Sequence, residues 1–439
     1  MRRAIALLFA GSLMSAHLAL AFCGFFVAKA DTKLFNKASK VILVRDGERT
    51  VLTMANDFQG EAKDFAIVVP VPVVLKKEQV HIGDPKIVER LDAFSAPRLV
   101  EYFDPDPCAP MIAYEKALPS PAATGAGPRR GADALGVKIE AQFTVGEYDI
   151  VILSAKESNG LEIWLKENGY KIPAGAAELL DPYIKTNTKF FVAKVNLEEF
   201  EKRGFQYLRP LQMAFESPKF MLPIRLGMAN AQKEQDLVVF AISRQGRTEV
   251  ANYRTVNIPS NMDIPLYVKD EFADFYRAMF QRAYEKEGMN AVFVEYAWNM
   301  AWCDPCAADP LTPEELRKAG VFWQDESGQN AAFITRIHAR YTRAKFPEDL
   351  VFQVTPSQDN YQGRYILRHP FDGKATCEQG KKYFMELPKR KEKDAQTLAS
   401  LTGWDINQIR KKMGMDQNKP EKKDESWWDK IFGDDDEKE

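Results

Sequence analysis

The sequence contains one short motif whose residue types and spacing could do chemistry. Trp302-Cys303-Asp304-Pro305-Cys306 has the W-C-x-P-C form of thioredoxin-like redox sites. In such sites the first thiol lies at a helix N-terminus, where the partial positive charge lowers its pKa. Cys303 would then be the catalytic nucleophile, and Cys306 would resolve the mixed disulfide. The motif therefore predicts, as one hypothesis, an extracytoplasmic thiol–disulfide oxidoreductase.

The sequence around the motif departs from that pattern in two ways. Pro310 would break a helix that began at the motif, and the capping sequence at residues 312–315 places the next helix start several residues later. A redox site of this kind also needs a nearby cis-proline, for which Thr355-Pro356 is a candidate by residue type alone. We therefore favour a structural role for the motif, as a disulfide or as a tight turn.

The five cysteines of the chain are candidates for disulfide bonds. They are Cys23, Cys108, Cys303, Cys306 and Cys377. In an oxidising compartment they can pair, although an odd number leaves at least one over. Several pairings stay open: Cys303 with Cys306, either of these two with Cys377, and Cys23 with Cys108.

Signatures of other chemistry are weak. The histidines His81, His338 and His369 are far apart in sequence, and none stands at a metal-ligand spacing. The chain has neither a G-x-S-x-G sequence nor a phosphate-binding glycine loop, so a hydrolase is a distant third hypothesis, and we predict no metal and no cofactor. His338 shares a polar strand face with Arg336 and Arg340, which we interpret as a solvated face.

The N-terminus has the pattern of a secretory signal. Arg2 and Arg3 precede an apolar stretch over residues 4–13, and residues 19–21 supply the small-x-small cleavage sequence. We predict cleavage near Ala21 and an extracytoplasmic location, periplasmic or secreted. Removal of residues 1–21 leaves all five cysteines in the mature chain.

Two alternatives to a cleaved signal remain. A membrane anchor is disfavoured because His17 interrupts the apolar run and no basic flank follows directly. A lipoprotein is disfavoured because the bulky Phe22 stands before Cys23, where a small residue is needed.

Length and composition bound the class of protein. The chain has 439 residues, of which 45% are hydrophobic and 28% charged, as in ordinary globular proteins. Its 60 basic and 62 acidic residues nearly cancel, which argues against nucleic acid as a partner. No later run of about 18 apolar residues occurs, so we predict no transmembrane helix in the mature chain.

The hydrophobic patterns predict an α+β fold that is β-rich through its N-terminal two thirds. Asp46-Gly47 between two apolar runs predicts a hairpin, residues 270–287 an amphipathic helix, and residues 291–298 and 333–341 strands. Hairpin-like runs before and after a Pro- and Gly-rich linker suggest a duplicated β unit. The predicted division is a signal peptide (1–21), a β-rich domain (22–118), a flexible linker (119–135), a β-rich domain with short helices (136–268), a mixed unit with the CxxC motif (269–385) and a charged helical and disordered tail (386–439).

The tail carries one short apolar stripe. Two short helices are expected around Gly403, between residues 394 and 413. Further on, an apolar stripe at helical spacing is too small to bury itself, so it either docks back on the body or contacts a protein or envelope partner. Its members are Trp427, Trp428, Ile431 and Phe432.

Several stretches together resemble one bacterial family catalogued as a domain of unknown function, number 2330. They include residues 22–31, 66–72 and 95–102, and most specifically Trp164-Leu165 with residues 169–173 and 220–227. The resemblance implies an exported bacterial protein and brings no catalytic or binding residues. Taken together, the sequence predicts a non-catalytic exported protein that binds a partner or is associated with the envelope.

Overall fold

The fold is given by a computed structural model. It describes residues 25–28, 35–59, 65–109, 138–154, 158–170, 176–196, 208–229, 234–324 and 331–415. The predicted signal peptide, the linker and the apolar stripe of the tail lie outside the described residues.

The strands follow the apolar runs of the sequence. Those of the first half are β1 Phe25–Ala28, β2 Phe35–Asp46, β3 Arg49–Gln59, β4 Phe65–Val71, β5 Val80–Ile82, β6 Arg98–Phe103, β7 Lys138–Val145, β8 Tyr148–Ser154, β9 Lys189–Val195, β10 Leu211–Glu216 and β11 Met221–Leu222. Those of the second half are β12 Gln235–Ser243, β13 Thr248–Val250, β14 Arg254–Asn257, β15 Met262–Ile264, β16 Ala291–Asn299, β17 Phe333–Tyr341, β18 Leu350–Val354, β19 Tyr361–Gln362 and β20 Arg364–His369.

The helices are amphipathic or short. They are α1 Pro85–Ser95, α2 Ser158–Glu167, α3 Ala176–Lys185, α4 Phe272–Lys286, α5 Pro313–Lys318, α6 Glu378–Thr402 and α7 Ile406–Lys412. Short 3-10 turns cover Lys77–Gln79, Arg225–Ala229 and Leu266–Lys269. This mixture confirms the predicted α+β class with its β-rich character.

The largest sheet has the order β14-β16-β17-β12-β2-β3-β10-β5, with β19 paired to β16. Its β2–β3 hairpin confirms the Asp-Gly prediction, because Gly47 takes a positive φ and the pair Asp46–Arg49 closes the turn. Most neighbours are antiparallel, but β12 runs parallel to β2 and β14 runs parallel to β16. The other sheets are β1-β4-β9-β8-β7, β11-β18-β13 and the parallel sheet β15-β20-β6.

Successive side chains of a strand pack against different layers of the fold. Val41 and Leu43 of β2 pack with Ile67 and Val69 of β4 in a core between the large sheet and the five-stranded sheet. The neighbouring Ile42 and Val44 point the other way, toward α1 and α5. Outward residues of the five-stranded sheet pack on α2 and α3. The result is four layers, with helices outside two facing sheets.

The sequence segments predicted as separate domains share the large sheet. Residues 22–118 supply β2, β3 and β5, residues 136–268 supply β10, β12 and β14, and residues 269–385 supply β16, β17 and β19. The segment boundaries are therefore not boundaries between sheets. The duplicated β unit stays a hypothesis.

The charged C-terminal segment is partly built into the body. The two helices expected around Gly403 are present, but the first begins at Glu378, well before residue 394. Gly403 ends it in a left-handed conformation, as a helix-terminating glycine does. Ala395, Leu398 and Ile409 pack with α4 in one apolar cluster. The described residues 386–415 are thus folded.

Candidate functional site

The W-C-x-P-C motif lies in a loop and not at a helix start. It follows β16, which ends at Asn299, and α5 begins only at Pro313 with the predicted capping box on Thr312. Cys303 and Cys306 form a disulfide with their Cα atoms 5.0 Å apart. The first thiol therefore lacks the helix N-terminus on which thioredoxin-like activation depends.

The environment of the two sulfurs also differs from that of a redox site. Cys303 is half-buried against the apolar cluster under α1 and α5, whereas Cys306 is exposed. Each sulfur faces a carbonyl oxygen, Cys303 Sγ that of Ala308 at 3.9 Å and Cys306 Sγ that of Cys303 at 3.3 Å. Carbonyl oxygens disfavour a thiolate. The cis-proline of the described residues is Pro305, inside the motif, and not the candidate Pro356.

The loop is fixed to the body through Pro305. The carbonyl oxygen of Pro305 accepts hydrogen bonds from Arg98 Nη1 and Gln362 Nε2, both at 3.3 Å. Arg98 is itself held by the carbonyl oxygen of Phe94 at 2.6 Å. The disulfide closes the loop, and these bonds hold it against the body at Pro305.

An aromatic side chain protrudes from this fixed loop. Trp302 is 46% exposed, and its ring meets that of Trp298 edge-on at 4.8 Å. Trp298 in turn stacks on the buried Tyr296 of β16 at 5.7 Å. The exposed indole therefore ends a row of aromatic rings that is rooted in the sheet.

A second disulfide joins Cys108 to Cys377, with Cα atoms 5.9 Å apart and a sequence separation of 269. The sequence does not predict this pairing, because cysteines so far apart in sequence give no local signal of contact. Cys23, the fifth cysteine, lies outside the described residues.

The predicted solvated face of β17 is buried, which corrects that interpretation. Arg336 and His338 are both less than 9% exposed, because α1 and α4 cover this face of the sheet. Phe280 of α4 stacks on the His338 ring at 3.9 Å. A buried charge needs a partner, and the partners come from other elements.

Glu295 of β16 is the centre of this buried polar cluster. Its carboxylate accepts from His338 Nδ1 at 2.7 Å, from Arg336 Nε at 2.5 Å and from the Tyr276 hydroxyl. A bulge in the pairing of β16 with β17 falls between Val294 and Tyr296, at Glu295 itself.

Further acidic groups complete the cluster on either side. Asp236 of β12 accepts from His338 Nε2 at 3.1 Å and from Arg340 Nε at 2.8 Å. Asp92 of α1 accepts from Arg336 Nη1 at 2.5 Å and from Lys40 Nζ at 2.6 Å. Positive and negative groups thus alternate across the face.

Mutual charge fixes the protonation states in the cluster. Burial alone would raise the pKa of Glu295, but Arg336 and His338 outweigh it and lower that pKa to about 2. Burial alone would lower the pKa of His338, but Glu295 and Asp236 raise it to about 9. The pKa of Asp236 also falls to about 2, as its bonds to His338 and Arg340 outweigh burial. The cluster is charged and internally paired at neutral pH, which suits stability more than proton transfer.

The remaining sequence candidates lie elsewhere. His369 bonds Glu101 at 2.8 Å on the surface, far along the chain from His338, and His81 is an exposed residue of β5. Within the described stretches, no three His, Cys, Asp or Glu side chains are grouped so as to hold a metal ion. The apolar stripe at residues 427–432 lies outside the described residues.

No helix in the part of the chain that the structure describes is both long and apolar enough to span a membrane.

Fold and site together define an α+β protein of two facing sheets with a disulfide-closed loop at one strand end. The chain belongs to the family described as uncharacterized protein conserved in bacteria, domain of unknown function 2330, which matches residues 18–353. That confirms the resemblance found in the sequence. No curated protein and no solved structure matches the chain.

Proposed function

We propose that this protein is a non-catalytic binding protein that works outside the cytoplasm, and that the loop over residues 301–310 is its binding surface. The observation that carries this proposal is Trp302, an exposed indole on a loop that is closed by a disulfide and bonded to the body through Pro305.

Physical chemistry favours such a loop as a contact surface. Tryptophan contributes large apolar area with few rotatable bonds, and it is enriched among residues that dominate binding energy. A loop that already has its bound conformation loses little conformational entropy on association. The partner that fits is a protein of the envelope with an apolar pocket for one aromatic ring.

An extracytoplasmic location is part of the proposal. The N-terminal signal pattern supports it, and so does the pairing of Cys108 with Cys377, because disulfides between distant segments persist in oxidising compartments. The test is cell fractionation of the full-length chain with mass measurement of its N-terminus. A cytoplasmic protein that retains Met1 would contradict this part.

The binding role is tested by site-specific photo-crosslinking in cells. A crosslinker at the exposed Ala307 should give a discrete envelope adduct, and Trp302→Ala should weaken it at least about tenfold, the loss typical of a dominant contact residue. Val351→Ala, which removes another exposed apolar side chain, is the matched control. An adduct that persists in Trp302→Ala, or the lack of any adduct, would refute the binding surface.

The alternative is a thiol–disulfide oxidoreductase that uses Cys303 and Cys306. The loop position of Cys303, its partial burial and the carbonyl oxygens near both sulfurs count against it. We expect the full-length protein not to accelerate the reduction of insulin disulfides by dithiothreitol above the uncatalysed rate. Catalysis that disappears in Cys303→Ser would restore the redox hypothesis.

The apolar stripe Trp427, Trp428, Ile431 and Phe432 stays a second hypothesis for a partner contact. The same crosslinking tests it when Trp428 is replaced by alanine.

A further inference from the structure

The Cys108–Cys377 disulfide has the chemistry that the W-C-x-P-C motif lacks. Cys377 is the N-cap of α6, a helix of 25 residues. Its Sγ accepts a hydrogen bond from the Gly380 N–H at 3.2 Å. Both the hydrogen bond and the partial positive charge of the helix N-terminus would stabilise a thiolate at Cys377. Cys377 is therefore a good leaving group in thiol–disulfide exchange.

The partner sulfur is the accessible one. Cys108 is exposed, whereas Cys377 is half-buried. Cys108 lies in a turn, where its backbone N–H donates to the Asp106 carboxylate at 2.8 Å. An incoming thiolate therefore reaches Cys108 more readily. The accessibility of Cys108 and the stabilisation of a thiolate at Cys377 therefore both favour attack at Cys108.

The other disulfide is an internal comparison with the opposite environment. Attack at the exposed Cys306 would expel Cys303 into a half-buried site that faces the carbonyl oxygen of Ala308. No helix begins there until Pro313. The two disulfides of one molecule therefore differ in how well the departing thiolate is stabilised.

One neighbouring charge opposes the effect at Cys377. Glu378 occupies the first position of α6, and its negative charge disfavours a thiolate beside it. Lys381 pairs with Glu378 at 3.2 Å and partly neutralises it. The balance still favours departure of Cys377, because the hydrogen bond from Gly380 acts on the sulfur directly.

We propose that Cys108–Cys377 is the exchangeable disulfide of this protein and that its partner is a dithiol protein or small thiol of the same compartment. A partner thiolate attacks Cys108 Sγ, the Cys108–Cys377 bond breaks, and Cys377 leaves with the electron pair as a thiolate. The second partner thiol, deprotonated, then attacks the partner sulfur of the mixed disulfide. The partner is oxidised to a disulfide, Cys108 and Cys377 are reduced, and the released protons protonate the departing sulfurs as their pKa values dictate.

Reduction should release residues 105–109 from α6 without unfolding the body. Asp104 stays bound when the disulfide opens, since its carboxylate accepts from Tyr383 at 2.6 Å and from Arg390 at 2.6 Å. Its backbone N–H also donates to the carbonyl oxygen of His369. The segment that gains freedom from α6 therefore begins after Asp104 and contains Cys108.

The test follows both disulfides in the full-length oxidised protein. Reduced glutathione is added, samples are quenched with acid over time, free thiols are alkylated, and the cysteine peptides are identified by mass spectrometry. We expect the glutathione adduct on Cys108 with a free thiol at Cys377 first, and a free thiol at Cys108 once a second glutathione resolves the adduct. The Cys108–Cys377 bond should open at least about tenfold sooner than Cys303–Cys306. Equal rates, the reverse order, or an adduct on Cys377 would overturn the proposal.

A pair of matched variants tests the role of the helix N-terminus. Glu378→Gln removes the opposing charge and should speed opening of Cys108–Cys377 about two- to threefold, while Glu386→Gln, beyond the first turn of the same helix, should not. An unchanged or slower rate in Glu378→Gln would exclude the mechanism. Neither outcome depends on Trp302, so this proposal and the binding proposal fail separately.

Discussion

Glu295 is 1% exposed and yet ionised, an arrangement that is stable only while its partners are present. Taking a carboxylate out of water costs several kcal/mol, and Arg336, His338 and Tyr276 must offset that cost through charge and hydrogen bonds. Removing one partner leaves the opposite charge buried without compensation. The cluster therefore makes β16 and β17 sensitive to conservative substitutions.

Glu295→Gln should lower the free energy of unfolding by about 3–5 kcal/mol, because it leaves Arg336 and His338 without their shared anion. The matched control is Glu314→Gln, which breaks an exposed i,i+4 pair with Lys318 and should cost far less, because solvent screens that pair. Urea unfolding at pH 7 measures both. Equal losses would show that the buried cluster contributes no more than a surface pair.

Because of this cluster, the free energy of unfolding should decrease on an alkaline flank and on an acid flank of its pH profile. The folded-state pKa of His338 is raised from 6.5 to about 9, so its contribution is complete below pH 6.5 and lost as pH rises through 9. The pKa of Glu295 is lowered from 4.5 to about 2, so its contribution is complete above pH 4.5 and lost as pH falls through 2. His338→Gln should flatten the alkaline flank in urea unfolding series between pH 6.5 and 9. A flank that stays as steep would assign it to other groups.

The sequence could indicate the polar face of β17 but not its environment. Alternation placed Arg336, His338 and Arg340 on one face, and the structure confirms that. They are buried or half-buried under α1 and α4, and Glu295 and Asp236 compensate their charges from β16 and β12. Nothing local to β17 specifies those partners, so a solvated face was the reasonable but wrong interpretation.

At the scale of elements, the sequence predicts those helices that have a capping box or a clear amphipathic pattern. The capping box at Thr312 and Glu315 and the helix over Phe272–Lys286 are present as expected. The start of α6 was missed because Cys377 is an unusual N-cap and Pro388 interrupts the helical pattern. Packing on α4 stabilises what the local sequence only weakly favours.

The packing of α6 predicts different costs for two apolar side chains on the same helix. Leu398→Ala should lower the free energy of unfolding by about 2–5 kcal/mol, since Leu398 is fully buried in the cluster with α4. Met385→Ala, at 62% exposure, should change it by no more than about 0.5 kcal/mol. Thermal unfolding with matched urea data measures both. A neutral Leu398→Ala would mean that this segment is not part of the cooperative fold.

At the scale of the whole molecule, distant segments complete each other's sheets. β2 lies between β3 and β12, and β4 lies between β1 and β9, so each of these strands has one neighbour from before the linker and one from after it. The sequence could predict many of these strands, because each has its own apolar pattern. It could not predict their neighbours, because pairing across 200 residues leaves no periodicity within either strand. The predicted domain boundary at residue 118 stays a prediction.

This interleaving predicts that residues 22–118 will not fold alone. Separated from β12, β10 and β9, their strands would expose unpaired edges and the apolar faces of Val41, Leu43 and Ile67. We expect the fragment to show a poorly dispersed amide spectrum and no cooperative thermal transition. In the full chain, we expect cooperative unfolding and protection of the same strands from hydrogen exchange. The control is the fragment mixed with residues 136–439, in which dispersion should return if the two pieces associate. A fragment that melts cooperatively by itself would establish an independent domain that ends near residue 118.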